Sequence, residues 1–380
     1  MTDNRIQSFK VTCWNIEHAD KLLDDLEAAS DGVREKAEAR LAAVRDEITA
    51  LAADVLMISE GPNGEDRAKR FFERAAPGYK LVTRGSDDRR TYGMQGTDAV
   101  TGRQWIWFLL RDIPALSGSL LHLDQWKRLT EANSGGEHRA GSWDVAFPEF
   151  RDGQLLFRIT RNHSHWRHPQ VLLANVDGVS IEFIGCHLKS KITRTSGRGD
   201  VTDAAFFDNN PGLVADLINS RVKITTECTD VRHYIDARFA ADASAPLIVL
   251  GDLNDGPGKE RIERRFLYHD LISTLQGEIF FARRFLNHAL FDAPEEERWS
   301  VFFRDRLDPG RSPRILLDHI LFSQTFTGNR QVTANSFRAR QGGGLVEHDV
   351  HHAITGTRPA FAMTSDHKPV SMHFDRRAPA

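Results

Sequence analysis

Between Pro246 and Gly251 the chain runs Leu247-Ile-Val-Leu250 without a polar residue. Consecutive apolar side chains on an extended backbone point to both faces, so this segment suits a strand covered on each side and demands a layered fold. Asp252 and Asn254 follow, two apart, and Gly256, Pro257 and Gly258 force a turn beyond them. The acid and the amide therefore share one side of a strand tip, where a carboxylate can take a proton from water and a carboxamide can donate to an anionic oxygen. An Asx-rich turn that merely closes a core strand would use the same residues.

The pattern recurs along the chain. Phe9 to Ile16 alternates like a strand and delivers Asn15, Glu17 and His18 at its end. Val33 to Ala53 has helical spacing, and Val55 to Ser59 is a second strand that runs into Glu60. Gln104 to Arg111 and Leu155 to Ile159 read as strands, with irregular chain, an insertion or lid, expected from Leu116 to Glu149. Val171 to Val176 and Ile181 to Cys186 form a hairpin around Asp177-Gly178, and its second strand ends at His187. Leu213 to Ala241 is helical, Arg261 to Leu290 is a largely helical insertion, and Arg314 to Phe322 is a strand carrying Asp318 and His319. Charge inside an apolar strand requires a partner. Ser365, Asp366 and His367 precede the last strand, Val370 to Phe374. His348, His351 and His352 read as a polar loop, and Gly342 to Gly344 as a flexible one.

Composition narrows the function classes. A net charge of −3 over 380 residues excludes a generally basic nucleic-acid coat but leaves room for a local basic groove. Cys13, Cys186 and Cys228 form neither a disulfide framework nor a zinc-binding pair. With no leader-like start and no apolar run of membrane-spanning length, a cytoplasmic protein without a membrane span is the expectation.

Six short motifs stand in order: WNIE (Trp14 to Glu17), DVLMISEG (Asp54 to Gly61), GCHLKS (Gly185 to Ser190), GDLND (Gly251 to Asp255), LDHILFS (Leu317 to Ser323) and SDHKPV (Ser365 to Val370). In that set the chain resembles the endonuclease/exonuclease/phosphatase superfamily, the DNase I-like proteins, although Ser59 stands where the family often has Gln. The resemblance implies an α/β (α+β) fold, a four-layer αββα sandwich of two packed mixed sheets. It is expected as a single domain over residues 1–380 with insertions at about 112–150, 259–312 and 328–362.

It also implies a hydrolase of phosphate esters dependent on Mg²⁺, with Mn²⁺ as the alternative ion. Glu60, Glu17 and Asp366 would hold the metal with Asn15 ordering that shell, because hard oxygen ligands suit such ions. Asp252 would activate the water, Asn254 would hold it, and His367 oriented by Asp318 would face the developing charge, with His187 as a second donor. Arg167 matches a basic phosphate contact of the family. Lys189, Arg194 and Arg198 follow the His187 strand and, with Arg158, Arg161 and Lys191, would extend a phosphate track. The expected activity is a nuclease acting on DNA or RNA. The alternatives are a phosphatase or phosphodiesterase of inositol phosphates, phospholipid headgroups or another small ester, and a non-catalytic binding module on the same fold.

Overall fold

The apolar run around Val249 is a strand with every residue buried. The computed structural model describes residues 5–86, 91–94, 102–133, 142–193, 195–266 and 270–378. Its first third holds β1 (Ser8–Asn15), α1 (Ala19–Leu26), α2 (Asp31–Leu51), β2 (Val55–Gly61), α3 (Glu65–Ala75), β3 (Tyr79–Val82) and β4 (Trp105–Arg111). The middle adds β5 (Leu116–Leu120), α4 (Leu123–Asn133), the ribbon β6 (Ser142–Arg151) and β7 (Gln154–Ser164), β8 (Gln170–Val176), β9 (Val179–His187), α5 (Pro211–Ala241) and β10 (Leu247–Asp252). After these come α6 (Arg261–Phe266), α7 (Leu271–Gln276), β11 (Asn287–His288), β12 (Val301–Phe302), β13 (Arg314–Ile315), β14 (Asp318–Phe322), β15 (Phe337–Val346), α8 (His348–Thr355) and β16 (Val370–Arg376).

One sheet has the order β15-β16-β1-β2-β4-β3 and a second has β11-β14-β10-β9-β8-β5. Both are mixed, since β1 is parallel to β2 and antiparallel to β16, while β10 is parallel to β9 and antiparallel to β14. Strand alternation then sorts the side chains into layers. Val11, Met57 and Phe108 of the first sheet meet Phe183, Ile248 and Leu250 of the second in one core. Leu56, Ile58 and Trp107 face the opposite way, onto Leu41, Val44 and Phe71 of the α2 and α3 helices. On the far side, Ile184 and Val249 carry Ile224, Val231 and Ile235 of α5. Helices, sheet, sheet and helices make the αββα sandwich, with both central sheets covered on each face.

Close packing at the strand tips needs Gly251. Its φ is 132°, and a Cβ there would collide with the Cys186 carbonyl oxygen and come within 2.9 Å of Met57 Cε. Gly251→Ala is therefore expected to destabilise the fold by about 2–4 kcal/mol. The check is the urea midpoint at unchanged slope, and a midpoint equal to the parent's would refute the steric account.

Several local expectations are corrected. Leu116–Leu120, expected in irregular chain, pairs with β8 as the edge of the second sheet; its exposed LSGSL pattern carries too little periodicity to read. Arg314 to Phe322 is two strands, because β13 pairs with β12 whereas β14 pairs with β10. Among the described residues, Arg261 to Leu290 holds two six-residue α-helices, α6 and α7, and short 3-10 turns instead of long helix. His348–Thr355 is a helix, with His351 buried against Glu47 of α2 at 2.9 Å. Gly342 to Gly344 lies inside β15 at a register shift, and a side chain at Gly344 would strike the Ala289 carbonyl. Cys13, Cys186 and Cys228 are free and buried. Among the described residues no helix is long and apolar enough to cross a membrane.

Candidate active site

Strand register gathers the site. Asp252 at the end of β10 lies beside His187 of β9 on one flank and Asp318 of β14 on the other. In the facing sheet Asn15 of β1 is level with Ser59 of β2, so Glu60 comes one residue further on. Beyond the tips the backbone turns sharply: Glu17, His18, Glu60 and Asn254 have φ of 45°, 58°, 57° and 50°. Side-chain-bearing residues enter this left-handed region at a cost of about 1–3 kcal/mol each, so the surroundings must hold them. Asn15 Oδ1 accepts from Glu17 N at 3.0 Å, and His18 N donates to Glu60 Oε2 at 2.9 Å. Arg40 donates to the carbonyls of Ile16, Glu17 and Thr364, stapling the β1 tip to the segment before Asp366.

The centre is a chain of hydrogen bonds. His367 Nδ1 is 2.7 Å from Asp318 Oδ2, and its backbone N–H donates to Ser365 Oγ at 3.0 Å. Asp252 Oδ2 accepts from Asn15 Nδ2 at 3.0 Å and lies 3.6 Å from His187 Nε2, while Asp252 Oδ1 accepts from Asn254 N at 2.9 Å. Asn15 Nδ2 also reaches Glu60 Oε1 at 3.4 Å. Because the Glu17 N–H fixes which end of the Asn15 amide is oxygen, the NH₂ group is the one that bridges the two carboxylates. Asn15 thus braces the acids.

Burial and charge then separate the protonation states. Burial, together with nearby Asp318, raises Asp252 to about 7 despite the opposing His367 charge. For His367 burial works against the cation, but the Asp318 ion pair, with Asp252 behind it, overrides burial and lifts it to about 10. Burial lowers His187 well below the ordinary imidazole range, and the Arg167 charge adds to this. Glu60 resists burial: its hydrogen bond to and ion pair with His18 keep its carboxyl far below the usual range. The result is a carboxylate poised near neutrality beside a fixed imidazolium, with an ionised Glu60 opposite.

These groups face a cleft of about 1140 Å³ whose wall includes Asn15, Glu60, His187, Asp252, Asn254, Asp366 and His367. Arg167 and Lys189 also line it. Asp318 stands behind His367, and Glu17 is outside the wall, its carboxylate 3.9 Å from Arg40. Arg198 is exposed outside the wall, and Arg194 lies outside the described residues. Of the wider charge track expected from sequence, Lys191 lines the cleft but is already paired, and among the described residues Arg158 and Arg161 are not part of the wall. Arg158 and Arg161 project from the exposed ribbon strand β7, and Lys191 is buried among Asp255, Glu260 and Glu263. Sequence reasoning missed His18, whose Nδ1 is 3.0 Å from Glu60, and Gln104, which accepts from Arg167 Nη1 at 2.7 Å. It also missed Lys223 of α5; Trp166, which interleaves with the basic residues from Arg158 to Arg167, is in the cleft wall as well. His18 abuts the WNIE motif and was the one with a visible signal; a lysine on a long helix has none.

For a divalent cation the donor set fits at Glu60 and Asp366. Both are carboxylates of the cleft wall, and Glu60 Oε1 has only the long contacts to Asn15 and to His187 Nε2 at 3.9 Å. Asp252, Asp318 and His367 also bring potential ligand atoms within 4.8 Å of one another. An imidazolium has no lone pair to offer, so that trio is better described as a base beside a held cation.

Two mixed sheets packed face to face between helices, with acids and histidines at the strand tips, make this the DNase I-like αββα fold. An endonuclease/exonuclease/phosphatase from Bacteroides vulgatus superposes with TM-score 0.50 at 11% identity, over 98% of this chain and 100% of that one. The human nocturnin catalytic domain with bound sulfate gives TM-score 0.46 at 16% identity, over 99% and 96% of the two chains. D. rerio TDP2 complexed with single strand DNA product gives 0.46 at 13%, over 97% and 100%. No family model and no curated protein sequence matches the chain.

Proposed function

We propose that this protein is a divalent-metal-dependent phosphoesterase that hydrolyses phosphodiester bonds of nucleic acid by attack of an activated water. The observation that carries the reading is the meeting, in one cleft wall, of Asp252, braced by Asn15 Nδ2 at 3.0 Å and 3.6 Å from His187 Nε2, with His367, paired to Asp318 at 2.7 Å. Asp252 takes the proton of the attacking water, and its position is set by Asn15 Nδ2 and the Asn254 backbone N–H. The Asn254 side chain closes the same edge of the site by donating to the Leu188 carbonyl at 2.9 Å. His367, kept protonated by Asp318, stabilises the negative charge that grows on the phosphoryl oxygens. His187, neutral, donates a hydrogen bond to the same group. Mg²⁺ or Mn²⁺, held by Glu60 and Asp366, would neutralise a phosphate oxygen. Glu17 acts through the turn that sets His18 against Glu60.

Arg167, Lys189 and Lys223 in the wall, with Trp166 42% exposed beside them, support a strand of nucleic acid as substrate, since cations track phosphates and an aromatic face stacks a base. A small phosphate ester is the second reading, favoured by the neutralised Lys191 and by Arg158, Arg161 and Arg198 not being among the wall residues. The direct test is turnover of plasmid, single-stranded DNA, RNA, inositol phosphates and a chromogenic diester with Mg²⁺ or Mn²⁺. Cleavage of a polynucleotide, lost with chelator and restored by metal, is the expected result. Salt separates the two readings: oligonucleotide affinity should fall steeply with ionic strength, and Lys189→Gln with Lys223→Gln should reduce the log–log slope by about 1 per charge removed. Salt-insensitive binding would favour the small ester.

A further inference from the structure

The loop after the Asp252 strand tip opens onto a second cavity of about 540 Å³. Its wall carries Lys259, Arg264, Arg298, Arg311 and Arg314, and no carboxylate. Acids do stand behind it: Asp308 is 3.1 Å from Arg264, Glu260 is 3.2 Å from Arg311, and Asp270 is 3.8 Å from Lys259. Glu260 is already shared with Arg221 and Lys191. Arg298 is held by the carbonyls of Ala293 at 2.7 Å and Phe291 at 3.0 Å, and Arg314 lies over the Trp299 ring at 5.3 Å. Neither has a carboxylate partner among the described residues. The cations therefore outnumber the acids that could balance them, and two guanidinium groups are fixed by carbonyls or an aromatic face without being neutralised. Guanidinium forks held in place beforehand match phosphate oxygens and lose little freedom on binding them.

The pocket adjoins the active site. Arg311 and Ile315 belong to its wall and to the wall of the cleft. Trp299, under Arg314, also meets the Lys368 ammonium at 3.9 Å, and Lys368 is the residue after His367. We propose that this pocket receives a second, non-scissile phosphate of the substrate whose scissile phosphate sits between Asp252 and His367. The proposal rests on the phosphoesterase reading and makes the substrate a chain bearing several phosphates, with its backbone passing Arg311 from one cavity to the other.

The experiment uses the full chain, the double variant Lys259→Gln/Arg314→Gln, and Lys259→Gln alone, whose side chain contacts only Asp270 and so leaves the packing of Trp299 untouched. Inorganic tripolyphosphate is titrated calorimetrically without added metal, and a DNA hexamer and a chromogenic diester with a single phosphate are compared in turnover. Tripolyphosphate affinity should fall about tenfold or more in the double variant and by less in the single one. The hexamer KM should rise about tenfold at unchanged kcat, with diester hydrolysis kept within about twofold. Unchanged tripolyphosphate affinity overturns the pocket. Loss of tripolyphosphate binding with an unchanged hexamer KM, or equal loss on hexamer and diester, overturns its role in substrate binding. A parent protein that binds tripolyphosphate yet hydrolyses no ester overturns the phosphoesterase reading, and with it the substrate assignment, while leaving the anion pocket demonstrated.

Discussion

Asp252→Ala and His367→Ala are each expected to lower kcat by roughly 10³–10⁵-fold, and the double variant by little more than the worse single change. The two groups act on one transition state: Asp252 removes the proton as the new bond forms, while His367 meets the charge that this bond pushes onto the phosphoryl oxygens. They are also coupled in the ground state, because the His367 charge opposes the rise in the Asp252 pKa and Asp252 supports the rise in that of His367. Removing His367 lets Asp252 hold its proton more tightly, the wrong state for a base, while removing Asp252 takes away the base and leaves His367 paired with Asp318. Single-turnover rates on the chromogenic diester, with the urea midpoint as a check on folding, make the measurement. A double-variant loss equal to the product of the single losses would mean independent roles and would break the proposed unit. Asp318→Asn should behave as a milder copy of His367→Ala, since it keeps the hydrogen bond but removes the charge that holds the imidazolium.

Glu60→Gln is expected to leave the fold intact and to remove about 100-fold or more of activity at fixed Mg²⁺. The substitution keeps the shape of the side chain and the acceptor for His18 N, so the strained turn at Glu60 has no reason to relax. What it removes is the ionised oxygen that His18 holds charged, and with it the hard ligand proposed for the cleft. Calorimetric Mn²⁺ affinity should fall in parallel with turnover, and raising the metal concentration should recover part of the rate. Full activity of Glu60→Gln in chelator would end the metal-dependent mechanism.

The apolar run of β10, the β8–β9 hairpin and the helical spacing of α2 and α5 could be read from the sequence, because one-faced and two-faced burial leave a period in the chain. The acids and histidines at the strand ends were legible for the same reason: they interrupt apolar runs, and six such interruptions in order made the resemblance specific. Edge and connecting strands were not. Leu116–Leu120 and the β12–β13 pair are short, exposed on one side or both, and stabilised by partners far away in the chain.

For the site, the sequence by itself determined which residues gather at the strand tips, since Asp252, His187, Asp318, His367, Asn15 and Glu60 all proved to be neighbours. It could not determine which charges are spent on each other. Lys191 and Arg167 look alike in sequence and both line the cleft, yet one is neutralised among three carboxylates and the other is held by the His187 carbonyl and Gln104. Tertiary structure alone decided that Asp252 is poised near pH 7 while Glu60 stays ionised, and that Lys259, Arg298 and Arg314 share one pocket. Identity and local pattern are properties of the chain, but the free energy of a charge depends on its distance from water and from every other charge, and only the folded arrangement sets those distances.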